Sequence, residues 1–276
     1  MVDGALGMGF GPTSASILLG TGLSSAAVST TVNLAKVATG ITAALSHWRF
    51  GNIDHRLVRR LAIPGSCGAL IGVTVLANVD GDTLRPMLSV LLLLMAGRIL
   101  LRFSRQLPVR VTLDPIDDEV DPGYDVRGTA AVAGLGGVTN GLVGAWGPVV
   151  TPFLLQRGLA PRFAIGSVNT AEVAVAFVAS GSLLASVGGG GIDVGVVIAM
   201  LSGGMLAAPL AAWVIRFLPA RALGVAVGGL LSFTNVRELS TSTRLDHVRW
   251  PAYALVALVV VFAAVRPRLR RRVPAP

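Results

Sequence analysis

Residues 7–36, GMGFGPTSASILLGTGLSSAAVSTTVNLAK, reappear in altered form at residues 143–172, and the shift of 136 positions needs no gap. It lays Phe10 on Trp146, Gly11 on Gly147, Pro12 on Pro148, Gly22 on Gly158, Asn33 on Asn169 and Ala35 on Ala171. The match ends with Lys36 facing Glu172. A chain built this way is expected to fold as two copies of one unit. A repeated Gly-Pro pair, a polar helix and opposite charges at equivalent positions then mark a shared site.

The medium follows from composition. Of 276 residues, 53% are apolar and only 13% charged, with a mean hydropathy of +0.73, too apolar for a water-facing surface. A bilayer core about 30 Å thick needs roughly 20 apolar residues per crossing, and several such windows follow one another here. The chain therefore reads as an all-α polytopic membrane protein. The net charge of +9 belongs to membrane topology and not to nucleic-acid binding, because the arginines lie in short loops and at the C-terminus. One cysteine, Cys67, excludes an intrachain disulfide and a cysteine cluster.

Along the chain, spans are expected at residues 24–46, 61–79, 84–103, 161–187, 192–215, 221–236 and 250–265. Residues 4–20 and 128–156 are too interrupted by Gly and Pro for plain spans and read as broken helical hairpins. The sequence SHWRFGNIDHRLVRR reads as a basic loop, with His47, Trp48 and Arg49 as interfacial anchors, and residues 237–249 as a second loop. The units are a first repeat at 1–103, a polar linker at 104–127 carrying DPIDDEVDPGYD, and a second repeat at 128–236. Residues 237–276 complete the chain as a connecting loop, a final span and a basic tail. Met1 aligns with Gly137, so the first copy lacks the lead-in that residues 128–136 give the second. Either that copy is shorter or the true start lies upstream, and the second is the expectation.

Loop charge sets the orientation. With the C-terminal arginines cytoplasmic, counting back places Arg157, Arg162 and the loop after residue 103 on the inside, provided 128–156 enters and leaves on one face. The Arg49 to Arg60 loop also falls inside. Each copy is then a hairpin plus three spans, an odd number of crossings, so the two repeats are inverted and one additional C-terminal span follows. Inverted repeats with discontinuous helices place a substrate site near the midplane.

The motif GMGFGPT, a Gly-Leu turn, a small-residue polar helix and SHWRFGNID resemble the first half of the sulfite exporter TauE/SafE family of membrane permeases. GLVGAWGPVVTPFLLQRGLAPRFAIGSVNT is similar to the second half. The adjacent glycines usual in the first motif are here Gly7, Gly9 and Gly11 with bulky residues between them. The resemblance implies a multi-pass permease of the bacterial plasma membrane that moves small anions such as sulfite, sulfonates or short-chain acids.

The residues indicate how. Ser29, Asn33, Lys36 and Gly40 recur at helical spacing and share one face, and Lys36 falls about midway along its span. An ionisable group there is costly unless paired or facing water. Ser167, Asn169, Thr170 and Glu172 occupy the matching region of the second copy, with Asn169 and Glu172 on one face. If the copies face each other, an anion takes Lys36 as its counter-ion while Glu172 takes a proton. The hairpin tips, around Gly11, Pro12 and Thr13 in one copy and around Gly147 and Pro148 to Thr151 in the other, present backbone N–H groups and helix N-termini to the same anion.

The plainer reading is a structural Lys36–Glu172 ion pair, with Asn33 and Asn169 as interhelical hydrogen-bond partners. No zinc-protease motif, cysteine–histidine pattern or nucleophile–base pair suggests an enzyme, and no cofactor is implied. The expected partners are a small anion, protons and the lipid bilayer, with no nucleic acid and a homo-oligomer left open. A non-transporting scaffold or a subunit of a larger complex is the alternative.

Overall fold

The computed structural model describes residues 10–104, 126–187, 194–203, 220–243 and 246–265, and these form helices and no strand. In chain order the helices are α1 (Phe10–Gly20), α2 (Ser25–Arg49), α3 (His55–Asn78), α4 (Gly81–Ser104), α5 (Thr129–Val143), α6 (Gly147–Gln156), α7 (Pro161–Val187), α8 (Val194–Gly203), α9 (Ala220–Ser242) and α10 (Asp246–Val265). Stretches within α3, α4, α7 and α10 are long and apolar enough to cross a membrane. Together with large apolar side chains exposed along them, such as Ile71, Leu94, Phe177 and Leu258, this is the architecture of a multi-pass membrane protein. The expected lead-in before Phe10, most of the 104–127 linker and most of the 192–215 span lie outside the described residues.

The duplication is visible in the helix boundaries. Shifted by 136, α1 falls on α6, α2 on α7 and α4 on α9 to within a few residues. The equivalent helices α2 and α7 pack against each other, as do α4 and α9. The second of these pairs is antiparallel. Arg85 at the start of α4 meets Glu238 near the end of α9 at 3.7 Å, while Gly228 earlier in α9 lies against Ala96 and Leu100 late in α4.

Several helices extend further than their apolar runs. The SHWRFGNIDHRLVRR stretch is mostly helical, with only residues 50–54 as loop. Asp54 caps α3 by accepting the Leu57 N–H at 2.9 Å, and Leu57 and Leu61 turn a buried face inward before the apolar run begins. His55 thus opens α3. Likewise α9 continues to Ser242 and α10 starts at Asp246, so little of 237–249 is loop. In α9 the polar last turns are held from inside: Ser240 and Thr241 hydroxyls donate back to the Arg237 carbonyl, each at 2.9 Å.

The interface of α3 on α5 is close, with parallel helices meeting along glycines. A Cβ at Gly68 would overlap the Gly134 carbonyl, at Gly72 the Val138 carbonyl, and at Gly137 the Gly65 carbonyl. Such small-residue contacts let backbones approach where lipid supplies no hydrophobic drive between helices. Behind them Trp146 is fully buried, its Nε1 donating to the Val168 carbonyl at 3.2 Å. Gly65 and Gly136 leave room for its ring.

Replacing Gly137 with Val should force α3 and α5 apart and cost about 1–3 kcal/mol by overpacking. Gly181→Ala in α7, where an added Cβ meets nothing within 4 Å, should leave stability unchanged or slightly raised. Thermal unfolding of both variants in detergent micelles measures the contrast.

Candidate functional site

The polar centre of the protein forms where α2, α5 and α7 meet. Ser29, Asn33 and Lys36, at spacings of four and three, turn one face of α2 toward the C-terminal end of α5. Ser29 donates to the Gly141 carbonyl at 2.6 Å. Asn33 Nδ2 donates to the Asn140 carbonyl at 3.1 Å and to the Ser29 carbonyl at 2.9 Å. In return Asn140 Nδ2 donates to Asn33 Oδ1 at 2.7 Å, which leaves Asn140 Oδ1 turned toward the buried charge of α2.

That charge is Lys36, 5% exposed. Its ammonium donates to Asn140 Oδ1 at 3.2 Å, to the Gly144 carbonyl at 2.6 Å and to Glu172 Oε1 on α7. An ammonium has three N–H donors, and here each has an acceptor. Two sources of negative potential surround it: the Glu172 carboxylate and the carbonyl end of α5, where helix termini carry unpaired acceptors and partial negative charge. Lys36 thus serves as a side-chain cap for α5.

The break that exposes this carbonyl is at Gly144, three residues before the expected tip. Gly144 has φ of +67°, a left-handed conformation that turns the chain out of α5 while its N–H still donates to the Asn140 carbonyl at 2.8 Å. A side chain there would also strike Val32. The Gly147–Pro148 pair does not break a helix but opens one, with Pro in the first turn of α6, where its missing N–H costs nothing. Gly11 and Pro12 hold the equivalent place in α1 and are buried.

Gly11 joins the centre directly. A Cβ on it would overlap the Gly144 carbonyl and come within 3.1 Å of Lys36 Cε, so glycine is the residue that lets α1 close over the lysine. Gly40, one turn beyond Lys36, admits Val173 of α7 in the same way.

The remaining expected residues are placed differently. Thr170 spends its hydroxyl on the Gly166 carbonyl at 2.7 Å, within its own helix. Asn169, the equivalent of Asn33, is buried on α7 with Oδ1 lacking a hydrogen-bond partner, and Thr13 Oγ1 is in the same condition. Ser167 accepts the Asp54 N–H at 2.9 Å and so ties the 50–54 loop to α7. Asn140 and Gly144 were not among the expected residues. They precede or fall outside the best-matched part of the duplication, and the available signal was an Asn in an otherwise apolar, Gly-rich lead-in.

The described residues thus hold a buried, charge-paired polar cluster built from both copies of a repeat, among helices of a membrane chain. Comparison with known proteins agrees with that picture. The profile of the family described as Sulfite exporter TauE/SafE matches residues 1–238. A protein named "Probable membrane transporter protein YtnM", from Bacillus subtilis (strain 168), is 39% identical over 240 residues, covering 87% of this chain and 78% of the relative. No solved structure matches the chain. The fold, the polar centre shared by the two copies and the family match lead to one conclusion: the chain belongs to the Sulfite exporter TauE/SafE family of membrane transporters.

Proposed function

We propose that the protein is a secondary transporter of the bacterial plasma membrane that moves small anions, sulfite, sulfonates or short organic acids, together with a proton. The observation that carries this reading is the saturation of Lys36: all three ammonium donors are engaged, one of them by Glu172. An anion can take Lys36 as counter-ion only by displacing an acceptor. Of the three acceptors only the Glu172 carboxylate can lose its charge by taking a proton, so Glu172 is the acceptor that yields. A proton on Glu172 removes its charge and frees the ammonium, which links the entry of an anion to the entry of a proton. Gly11, Pro12 and Thr13, with Gly147 and Pro148, bring the first turns of α1 and α6 toward this centre. Ser29 and Asn33 hold α2 in register, and Asn169 and Thr170 flank Glu172 on α7.

In this reading the two copies are inverted repeats, each a broken hairpin and three spans. The antiparallel packing of α4 on its equivalent α9 supports this. So does the meeting of Lys36 and Glu172, which occupy one repeat position. Movement of one copy against the other would then open the Lys36 centre to each side in turn. The family and the relative's name as a probable transporter favour transport over a purely structural role.

A structural ion pair is the competing reading, and the charges separate the two. Lys36→Ala and Glu172→Gln should each reduce flux by 100-fold or more, and each should cost about 3–5 kcal/mol by stranding a buried partner. The exchanged variant, Lys36→Glu with Glu172→Lys, sets a carboxylate against the Gly144 carbonyl and the carbonyl end of α5, so it should recover neither full thermal stability nor flux. Recovery of both would identify a lock between helices.

The substrate class is checked in proteoliposomes, by measuring flux of sulfite, a sulfonate and a short carboxylate with and without an imposed pH gradient. Anion movement should follow the proton gradient and vanish with Glu172→Gln. Gradient-independent flux that survives the substitution would dispose of the coupling.

A further inference from the structure

On the outer surface of the protein, α3 and α5 enclose an open groove of about 1480 Å³ that the transport reading leaves unused. Its floor is backbone, because Gly68 and Gly134 meet there without side chains. Its walls are apolar: Ile63 and Ile71 on α3, Leu135 and Val138 on α5. One end is different. Arg56, Arg59 and Arg60 line it, all exposed, and among the described residues none of them forms an ion pair.

The arrangement is written into α3. Arg56, Arg60, Ile63, Cys67 and Ile71 are spaced by four, three, four and four residues, a single stripe along one helical face. From Arg60 to Ile71 the stripe rises about 16 Å, close to half of a hydrocarbon core about 30 Å thick. The arginines stand in the first two turns of α3, the end where the helix dipole disfavours cations. Their position therefore gains nothing from the helix itself. A cationic cluster at the head of a one-leaflet-long apolar groove complements a molecule with an anionic head and hydrocarbon tails.

We propose that this groove is a binding site for one anionic phospholipid, with the phosphate held by Arg56, Arg59 and Arg60 and an acyl chain lying on the Gly68–Gly134 floor. The lipid would seal the close crossing of α3 and α5 from outside. By loop charge the arginines face the cytoplasm, so the lipid belongs to the inner leaflet. The site is separate from the Lys36 centre, to which none of its arginines contributes.

The test is native mass spectrometry of the full chain released from detergent micelles, titrated with phosphatidylglycerol or with phosphatidylcholine. The wild type should retain one phosphatidylglycerol with a preference on the order of 100-fold over phosphatidylcholine, from roughly a few-fold per arginine near a membrane surface compounded over three. Two variants probe the two halves of the site. Arg56→Gln/Arg59→Gln/Arg60→Gln should abolish the preference. Leu135→Trp, which keeps every charge and fills the groove, should lower retention at least tenfold while the melting temperature stays within a few degrees. Equal retention of both lipids by the wild type would overturn the proposal. So would a phosphatidylglycerol preference that Leu135→Trp leaves intact, which would mean charge attraction without a groove. Displacement of the lipid by millimolar inorganic phosphate would overturn it as well, by identifying a free-anion site.

Discussion

Everything near the centre of this protein answers to the cost of burying one ammonium group. Lys36 cannot be buried in the protein interior unless its charge is matched, and matching it recruits three separate structures. Glu172 must come from the other copy of the repeat, Asn140 must be turned by Asn33, and α5 must end at Gly144 so that a carbonyl is free. Gly11 must lack a side chain so that α1 can approach. The packing of α2 on α7 and the break between α5 and α6 are thus parts of one solution to a solvation problem.

The outer structure solves a different problem, that of holding helices together when lipid is as apolar as they are. It does so with close backbone contact. Glycines on α3 and α5 bring carbonyls against α-carbons, and Trp146 fills the space they leave behind. The α4–α9 pair adds polar contacts at its end, where Arg85 also donates to the Gly22 and Leu23 carbonyls at 2.9 and 3.0 Å. That arginine binds the turn before α2 to the second copy, and so connects the helix that bears Lys36 to the helices opposite it.

The sequence carried the class of the fold and the central pair, because both rest on strong signals. Apolar windows report a membrane, and a gapless duplication places Lys36 opposite Glu172. What it did not carry were features that depend on three dimensions. The helix ends at His55 and Ser242 lie in polar sequence, and they are helical because Leu57, Leu61 and the contacts of α9 draw them inward. The Gly-Pro pairs drew attention as breaks, yet proline is at ease in a first turn, and the turn itself needed the positive φ of Gly144. Asn140 belongs to the site because α5 ends beside α2, a tertiary fact that its isolated position in an apolar, Gly-rich segment only hints at.

The pairing of Lys36 with Glu172 also bears on how such a chain can arise. Both residues stand at the same repeat position, so two identical copies of the first half, arranged as these halves are, would bury two ammonium groups against each other, and two copies of the second would bury two carboxylates. Neither half is self-complementary. The pair at this position is therefore complete only when one half of each kind is present.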